Sequence, residues 1–474
     1  MRMRIGNLVA LAAALAALAG CASRPVNEPI ERVDPAGGYR TSNAEKLPNN
    51  DPATLVVLAF SGGGTRAAAF SYGVLEELRR TQLVVGSKPR RMLDEVDFIT
   101  GVSGGSFTAL SFALYGERLF DEYEARFLKR DVQGTLTARG LNPANWPRIA
   151  STGFGRSELA AEFYDEILFN GATFADLMHR TAPRIIVTGT DISTGSRLGF
   201  TQDHFDLICS DLSKVRLSRA AATSSAVPIV LSPVTFNNYG GKCGYRYPPW
   251  VQAVSDPENR ARPAGRPLQR YREMAAFQDS ANRPYIHLVD GGVSDNLGLR
   301  GILEALEELE ASSAYRQDVG LARFRRMVVI VVNSHSAPET DWDRSESGPG
   351  PLSIMMQASG VPIDRYSYES IELLKDIVAR WSMLRELDTL RARTSGATTP
   401  AGLPDFKFYA IDVSFDAIPD LKERRYFLNL PTSFVLSPEE VDRLREVAGR
   451  LLRESTEFQA LVKELGGTPG AKKE

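Results

Sequence analysis

The sequence predicts an α/β fold with a mostly parallel central sheet. Three observations carry this. Thr54–Phe60 (TLVVLAF) and Met327–Asn333 (MVVIVVN) are near-continuous apolar runs, as expected of strands buried on both faces. Strand-like and helix-like stretches alternate through residues 55–300, the pattern of crossover connections. Glycine-rich turns follow the first two strand runs, at Gly62–Gly64 and at Gly101–Gly105. In open α/β sheets, ligands bind at that carboxyl edge.

The elements follow in order. After Thr54–Phe60, residues Thr65–Arg80 form a helix with Ala67, Ala68, Ala69, Val74, Leu75 and Leu78 on its apolar side. Val96–Thr100 is the second strand. A right-handed strand–helix–strand crossover places the glycine run and the turn at Ser103 on one edge of the sheet. Ser106–Tyr115 is an apolar helix. Arg184–Asp191, Tyr285–Val289, Met327–Asn333 and Phe406–Val413 are further strands, with Asp290 just past the end of its own. Near the C-terminus, Ser437-Pro438-Glu439-Glu440 supplies an N-cap, a first-position proline and an N3 glutamate. Val441, Leu444, Val447, Leu451 and Leu452 then make one face. From Gly466 the tail is expected to be disordered. Two long insertions interrupt the pattern, residues 236–284 and 336–404. The second contains an amphipathic stripe, Ile371, Leu374, Ile377, Val378, Trp381, Leu384 and Leu387, suited to a core face. One insertion is a candidate lining for an acyl-chain channel.

The N-terminus has the pattern of a targeting segment. Arg2 and Arg4 precede an apolar run from Ile5 to Ala17, too short and wrongly flanked for a permanent membrane span. Leu18-Ala19-Gly20-Cys21 resembles the lipobox of bacterial lipoproteins, which implies acylation of Cys21. Residues 1–20 are therefore expected as a signal peptide and 21–50 as a lipidated flexible tether with a reach on the order of 30 Å. The expected catalytic domain is 51–465. Ala22 follows the cysteine, which by the same resemblance implies the outer membrane, with the domain in the periplasm.

Composition is that of a globular protein, 43% hydrophobic and 24% charged. Removing residues 1–20 leaves 54 basic against 58 acidic side chains, a net charge of −4. No strong basic field exists to attract nucleic acid. Besides Cys21 the cysteines are Cys209 and Cys243. They are an even pair, open to a disulfide in an oxidising compartment or to two buried thiols. The four histidines, His179, His204, His287 and His335, show no ligand spacing, so no metal or other cofactor is expected.

The chemistry centres on Gly101-Val102-Ser103-Gly104-Gly105. A buried strand precedes it and an apolar helix follows, the context of a nucleophile elbow. A serine needs a base to become a nucleophile. Asp290, followed by Gly291 and Gly292, is the best placed, making a Ser103–Asp290 dyad. Backbone amides of Gly62, Gly63 and Gly64 at a helix N-terminus can cradle an oxyanion, and Gly104 can add a donor. Arg66 orients this loop, contacts a phosphate, or is simply a solvated or packing arginine. The reading is a serine acyl hydrolase.

Gly62-Gly63-Gly64-Thr65-Arg66, Gly101-Val102-Ser103-Gly104-Gly105 and Asp290-Gly291-Gly292, in this order and at strand ends, resemble the patatin-like phospholipase family over roughly residues 53–300. The resemblance implies a three-layer α/β/α sandwich. It also implies calcium-independent hydrolysis of lipid esters through an acyl-enzyme, with Ser103 as nucleophile, Asp290 as base and Gly62–Gly64 as oxyanion hole. Ala221–Ala226 resembles a family segment near the substrate. A family glycine after the arginine is Ala67 here. Membrane lipids are then the expected partners. Two alternatives stand beside this reading: a Ser-His-Asp esterase of the α/β-hydrolase type, and a non-catalytic lipid-binding or scaffolding lipoprotein. Acyl transfer to an acceptor other than water is a third outcome of the same chemistry.

Overall fold

The computed structural model describes residues 24–41, 50–85, 88–178, 182–248, 251, 265–311, 323–340, 342–395 and 407–468. The main strands are β1 (Thr54–Phe60), β2 (Val96–Gly101), β3 (Arg184–Asp191), β4 (Arg197–Gly199), β5 (Val234–Asn237), β6 (Tyr285–Asp290), β7 (Arg326–Asn333) and β8 (Lys407–Ser414). The main helices are α1 (Gly64–Arg80), α2 (Gly104–Tyr115), α3 (Arg156–Tyr164), α4 (Leu217–Ser224), α5 (Arg300–Ala311), α6 (Pro351–Ser395) and α7 (Pro438–Glu454). The chain divides into two compact units.

The first unit holds the described residues of Ser42–Tyr123, Arg180–Val187 and Gly292–Glu474. Its main strands are all parallel, in the order β8-β7-β1-β2-β3, with β3 entering as Arg184–Val187, and a separate antiparallel hairpin pairs Gln82–Val85 with Lys88–Arg91. Side chains alternate across a sheet, and both sets are buried here. Val57, Ala59, Met327, Val329 and Val331 pack with Leu303 and Leu306 of α5 and with Ile371, Leu374, Ile377 and Trp381 of α6. Val56, Leu58, Phe60, Val328, Ile330 and Val332 are also fully buried, on the face covered by α1, α2 and α7. Each such side chain contributes roughly 1.5–3 kcal/mol of burial. The apolar runs in the sequence therefore mark strands with helices on both faces, and the α/β/α layering is present in this unit.

The stripe expected in the second insertion is mostly a core face, but Leu384 and Leu387 are exposed. The capping box at Ser437 forms as expected, with the Glu440 amide donating to Ser437 Oγ at 3.3 Å and the Ser437 amide to Glu440 Oε2 at 2.7 Å. The tail differs from its expectation. Thr468 donates its amide to Gln82 O at 3.0 Å and Gly467 to Val462 O at 2.8 Å. The expected disorder beyond residue 468 falls outside the described residues.

The second unit holds the described residues of Met1–Thr41, Glu124–His179 and Thr188–Gly291. Here the pairing is antiparallel. The C-terminal half of β3 pairs with β4 (Thr188↔Gly199) and β6 (Gly189↔Asp290), and β6 pairs with β5 (Leu288↔Val234). β6 includes Asp290 as its last residue, one residue longer than expected.

Residues 24–41 also depart from the expected tether. The Ile30 amide donates to Cys209 O at 2.9 Å and the Val33 amide to Cys243 O at 3.1 Å. Asn27 Nδ2 donates to Ser210 Oγ at 2.9 Å, and Asn27 Oδ1 accepts the Asn237 amide at 2.7 Å. Two buried anchors close the segment. Tyr39 packs edge-on against Phe174, with ring centroids 5.4 Å apart, and Arg40 pairs with Asp206 at 2.7 Å. A polar segment can dock without a core of its own when its backbone groups find partners. Cys21 and the signal segment lie outside the described residues, as do residues 42–49.

Candidate active site

Ser103 follows β2 at the entrance to α2, with φ 48° and ψ −119°. A non-glycine residue there is strained by about 1–3 kcal/mol, and such strain clusters at functional sites. The neighbouring residues hold the turn closed. The Val102 amide donates to Phe60 O at 3.1 Å, and the Gly105 amide to Val102 O at 2.8 Å. Ser103 is only 5% exposed.

The glycine loop after β1 lies beside this serine. A Cβ added to Gly62 would stand 3.3 Å from Ser103 Cβ, and one added to Gly104 would stand 2.0 Å from the Gly64 carbonyl oxygen. At the second of these contacts the loops can approach this closely because neither Gly64 nor Gly104 carries a side chain. Gly63 and Gly64 have φ values of 139° and 60°, conformations that favour glycine.

The amides of this loop are not equivalent. Gly62, expected as an oxyanion donor, gives its amide to Asn296 O at 2.9 Å, and Thr65 gives its amide to Ser433 O at 2.8 Å. Gly62 is therefore a fastening point of the loop rather than a free donor. The amides of Gly63, Gly64 and Gly104 have no acceptor among the described residues. They are the three donors left for an anion, at the starts of α1 and α2, where helix termini favour negative charge.

Arg66 serves the loop. Nε donates to Ser334 O at 2.8 Å, Nη1 to Leu430 O at 2.6 Å and Nη2 to Thr432 Oγ1 at 3.0 Å. The side chain is 2% exposed, and burial pulls its pKa down to about 10, opposed by nearby Asp364. With its donors committed to protein oxygens and almost no exposure, it is not arranged to contact a phosphate. Ser334 completes the brace, donating its amide to Ser61 Oγ at 3.0 Å and its hydroxyl to Gly62 O at 3.3 Å.

Asp290 belongs to the second unit. Its amide donates to Ala226 O at 3.0 Å, and the Gly291 amide to Ser224 O at 3.2 Å. The segment Ala221–Ala226 thus fixes the turn that carries the aspartate. Glycine is needed at 291, since a Cβ there would meet Thr188 O at 2.4 Å. Asp290 is 6% exposed. Tyr164, which the sequence reading passed over, lies near it. Burial raises the phenol pKa, the Ser225 hydroxyl lowers it, and the Asp290 carboxylate raises it further. Tyr164 remains a neutral phenol at physiological pH.

The histidines have local partners. His204, held well below its ordinary pKa by burial and by Arg270 and Arg197, lies 2.9 Å from Thr201 Oγ1 and 3.1 Å from Arg270. His287 lies 3.0 Å from Thr235 Oγ1. His335 lies 3.5 Å from the Asp416 carboxylate and packs against Phe415. His179 is outside the described residues. Among the described residues no group of three His, Cys, Asp or Glu could hold a metal, and no helix is long and apolar enough to cross a membrane. Cys209 and Cys243 are joined in the structure, with Cα atoms 5.5 Å apart.

Asn296 is the residue that sequence reading missed within the loop. Its signal was the polar turn Asp295-Asn296-Leu297-Gly298 after the Asp-Gly-Gly motif. Asp295 caps α5, its carboxylate accepting the amides of Leu299 at 3.0 Å and Arg300 at 2.9 Å.

No curated protein matches the chain significantly. Among solved structures it is similar to human GIVD cytosolic phospholipase A2, at 12% identity and a TM-score of 0.41, over 88% of this chain and 63% of that one. It is also similar to VipD from Legionella pneumophila, at 11% identity and a TM-score of 0.26, over 93% of this chain and 75% of that one. The chain thus spans less than two thirds of the human enzyme's length. The sequence profile described as Patatin-like phospholipase matches residues 58–303, more than half of the chain and the stretch that holds all three motifs. The chain belongs to the patatin-like phospholipase family.

Proposed function

We propose that this protein is a serine acyl hydrolase that cleaves carboxylic ester bonds of membrane lipids. The observation that carries the reading is Ser103 itself, in a strained strand-to-helix turn against a glycine loop whose Gly63 and Gly64 amides have no acceptor among the described residues. Asp290 is the proposed base. The chain that carries it runs on within six residues to Asn296, which fastens that same loop.

In the proposed reaction, Asp290 takes the hydroxyl proton as Ser103 Oγ attacks the ester carbonyl. The tetrahedral oxyanion is held by the amides of Gly63, Gly64 and Gly104, each donor contributing about 3 kcal/mol. Collapse expels the alcohol, which leaves with the proton from Asp290, and an acyl-Ser103 ester remains. Water then attacks, Asp290 again accepting the proton, and on collapse Asp290 returns that proton to the departing Ser103 Oγ, so the fatty acid leaves and the serine is restored. No step requires calcium. The proposed location is the bacterial cell envelope, with Cys21 acylated and the domain held at the periplasmic face of the outer membrane.

The test is fatty-acid release from phospholipid vesicles and from a short-chain ester by the wild-type chain, Ser103→Ala and Asp290→Ala. Release lost in both variants with folding intact supports the dyad. Retained release in Asp290→Ala, with loss on replacing a histidine, would favour the histidine triad. A folded wild-type chain inert on both substrates would remove the hydrolase reading and leave a lipid-binding role.

A further inference from the structure

We infer that one face of the second unit, centred on Arg24, seats on the surface of a phospholipid bilayer. The inference rests on the proposed acylation of Cys21 and adds to it a fixed docking face. Arg24 is the first described residue, and it is tied down. Nη1 donates to Thr235 O at 3.2 Å, Nη2 donates to Asn237 Oδ1, and the guanidinium lies 5.7 Å over the Tyr285 ring. Two residues, Ala22 and Ser23, separate Arg24 from Cys21, so three Cα–Cα steps join them. Fully extended, they span at most about 10 Å. An acyl anchor at Cys21 would therefore hold the Arg24 face at headgroup distance, not at the end of a tether some thirty residues long.

The chemistry of this face fits that position. Val26, Trp146, Ile229, Val230 and Tyr285 are 59%, 55%, 47%, 57% and 53% exposed. Local contacts gather them. Tyr285 lies under Arg24. Val26, Ala144, Pro147 and Lys214 line one cleft of about 680 Å³, and Trp146 sits between two of those residues in sequence. A Cβ at Gly153 would meet the Arg24 side chain. Three residues on, Arg156 Nη2 donates to Ile229 O at 2.9 Å.

Exposed aliphatic and aromatic side chains grouped on one face mark an interaction site. Trp and Tyr prefer the interfacial zone of a bilayer. Of the carboxylates lining the cleft, Glu158 and Glu162 are paired with Arg219 and Arg148, which leaves Glu28. Arg156 and Lys214 have no acidic partner among the described residues, and nearby cations attract anionic headgroups. Ile229 adds an independent sign. It is a β-branched residue held at φ 76°, a genuine outlier of the kind found at functional sites, and the loop it strains presents two aliphatic side chains to solvent.

The test uses the full chain, reconstituted in vesicles of phosphatidylethanolamine and phosphatidylglycerol, with and without bromine on the acyl chains. Trp146→Phe removes one exposed tryptophan, and the difference from wild type isolates Trp146 emission. Mass analysis of the N-terminal peptide reports acylation of Cys21 separately. The expected result is about a twofold or greater loss of the Trp146 component in brominated vesicles, as interfacial insertion brings the indole to the acyl boundary. Acylation present with Trp146 emission indifferent to bromine overturns the docking face and leaves the anchor standing. A chain without acyl groups that stays off vesicles overturns both. Bromine quenching of Trp146 in a chain that lacks acylation supports the face and removes the anchor. Trp146 protected by self-association, without bromine quenching, assigns the face to a second copy and overturns the proposal.

Discussion

The Asn296 carbonyl accepts the Gly62 amide at 2.9 Å, and the Asn296 side chain occupies the space a Cβ at Gly62 would need, 2.3 Å from its Oδ1. One residue thus fastens the glycine loop by its backbone and fills against it by its side chain. Asn296→Ala keeps the first contact and loses the second. The expected outcome is a fall in kcat of about tenfold or more with KM little changed, because a loosened loop misplaces donors that act on the transition state. Steady-state kinetics on a soluble ester, with thermal unfolding in parallel, reads this out. An unchanged kcat would mean that the loop is held without the side chain.

Gly104 is under a stricter constraint. Its added Cβ would stand 2.0 Å from a backbone carbonyl, that of Gly64, and backbone cannot swing aside as a side chain can. Gly104→Ala should abolish turnover and lower stability by about 1–3 kcal/mol, the usual cost of overpacking. Urea unfolding measures the second term. Full activity in this variant would contradict the close approach of the two loops.

How much of this was legible in the sequence follows from what each residue depends on. β1 and β7 were visible because their burial on both faces leaves a continuous apolar run, and the turn at Ser103 because tight backbone geometry demands small residues. The partners of Arg66 were not visible. Leu430 and Thr432 lie more than 360 residues away in sequence, and no local pattern marks a carbonyl that will accept from a distant guanidinium. Gly62 was expected as a donor because its motif favours amides facing an anion, and only the fold shows that Asn296 takes that amide first. Residues 24–41 looked like a tether because polar composition says nothing of backbone pairing with Cys209 and Cys243.

Arg66 makes a prediction that separates the loop role from the phosphate role. Arg66→Met removes three hydrogen bonds to Ser334, Leu430 and Thr432 and leaves buried acceptors unpaired, at about 1–3 kcal/mol for each group left unsatisfied. Arg66→Lys keeps the charge but not the fork, so it should rescue little. The expected loss is seen in urea midpoints for both variants. Whatever activity remains should show the same preference between a phospholipid and a neutral ester as wild type. A selective loss on the phospholipid would restore the phosphate role.

The link between Cys209 and Cys243 closes a separation of 34 residues, for which chain entropy gives a stabilisation of about 3–4 kcal/mol. We predict that no thiol from this pair titrates before reduction, and that reductant lowers the unfolding midpoint of wild type but not of Cys209→Ser. The same two residues accept the amides of Ile30 and Val33, so reduction should also speed hydrogen exchange at those amides. Two free thiols in the untreated chain would mean that the pair is simply buried.

Asp412, on β8, gives the pH dependence a sign. Burial raises its carboxyl to about 6; Lys375 pulls the other way and Asp416 adds to the rise. Its Oδ1 is buried without a hydrogen-bond partner among the described residues. The unfolded carboxyl titrates near its ordinary value of 3.8. Between those two values the folded chain keeps a proton that the unfolded chain releases, so the stability tied to this group is full below about pH 4 and is lost as pH rises to about 6. The loss is on the order of 2–3 kcal/mol at neutral pH. Glu464, held down to about 2 against its own burial by hydrogen bonds from Lys407, Tyr409 and Arg326, titrates with the opposite sign. Its stabilisation is present above about pH 4.5 and fades toward pH 2, largely outside the Asp412 window. Asp412→Asn fills the same volume without the charge. It should be more stable than wild type at about pH 7.5 by the amount given, and the difference should vanish near pH 4. A gain of equal size at both pH values would show that charge burial is not its cause.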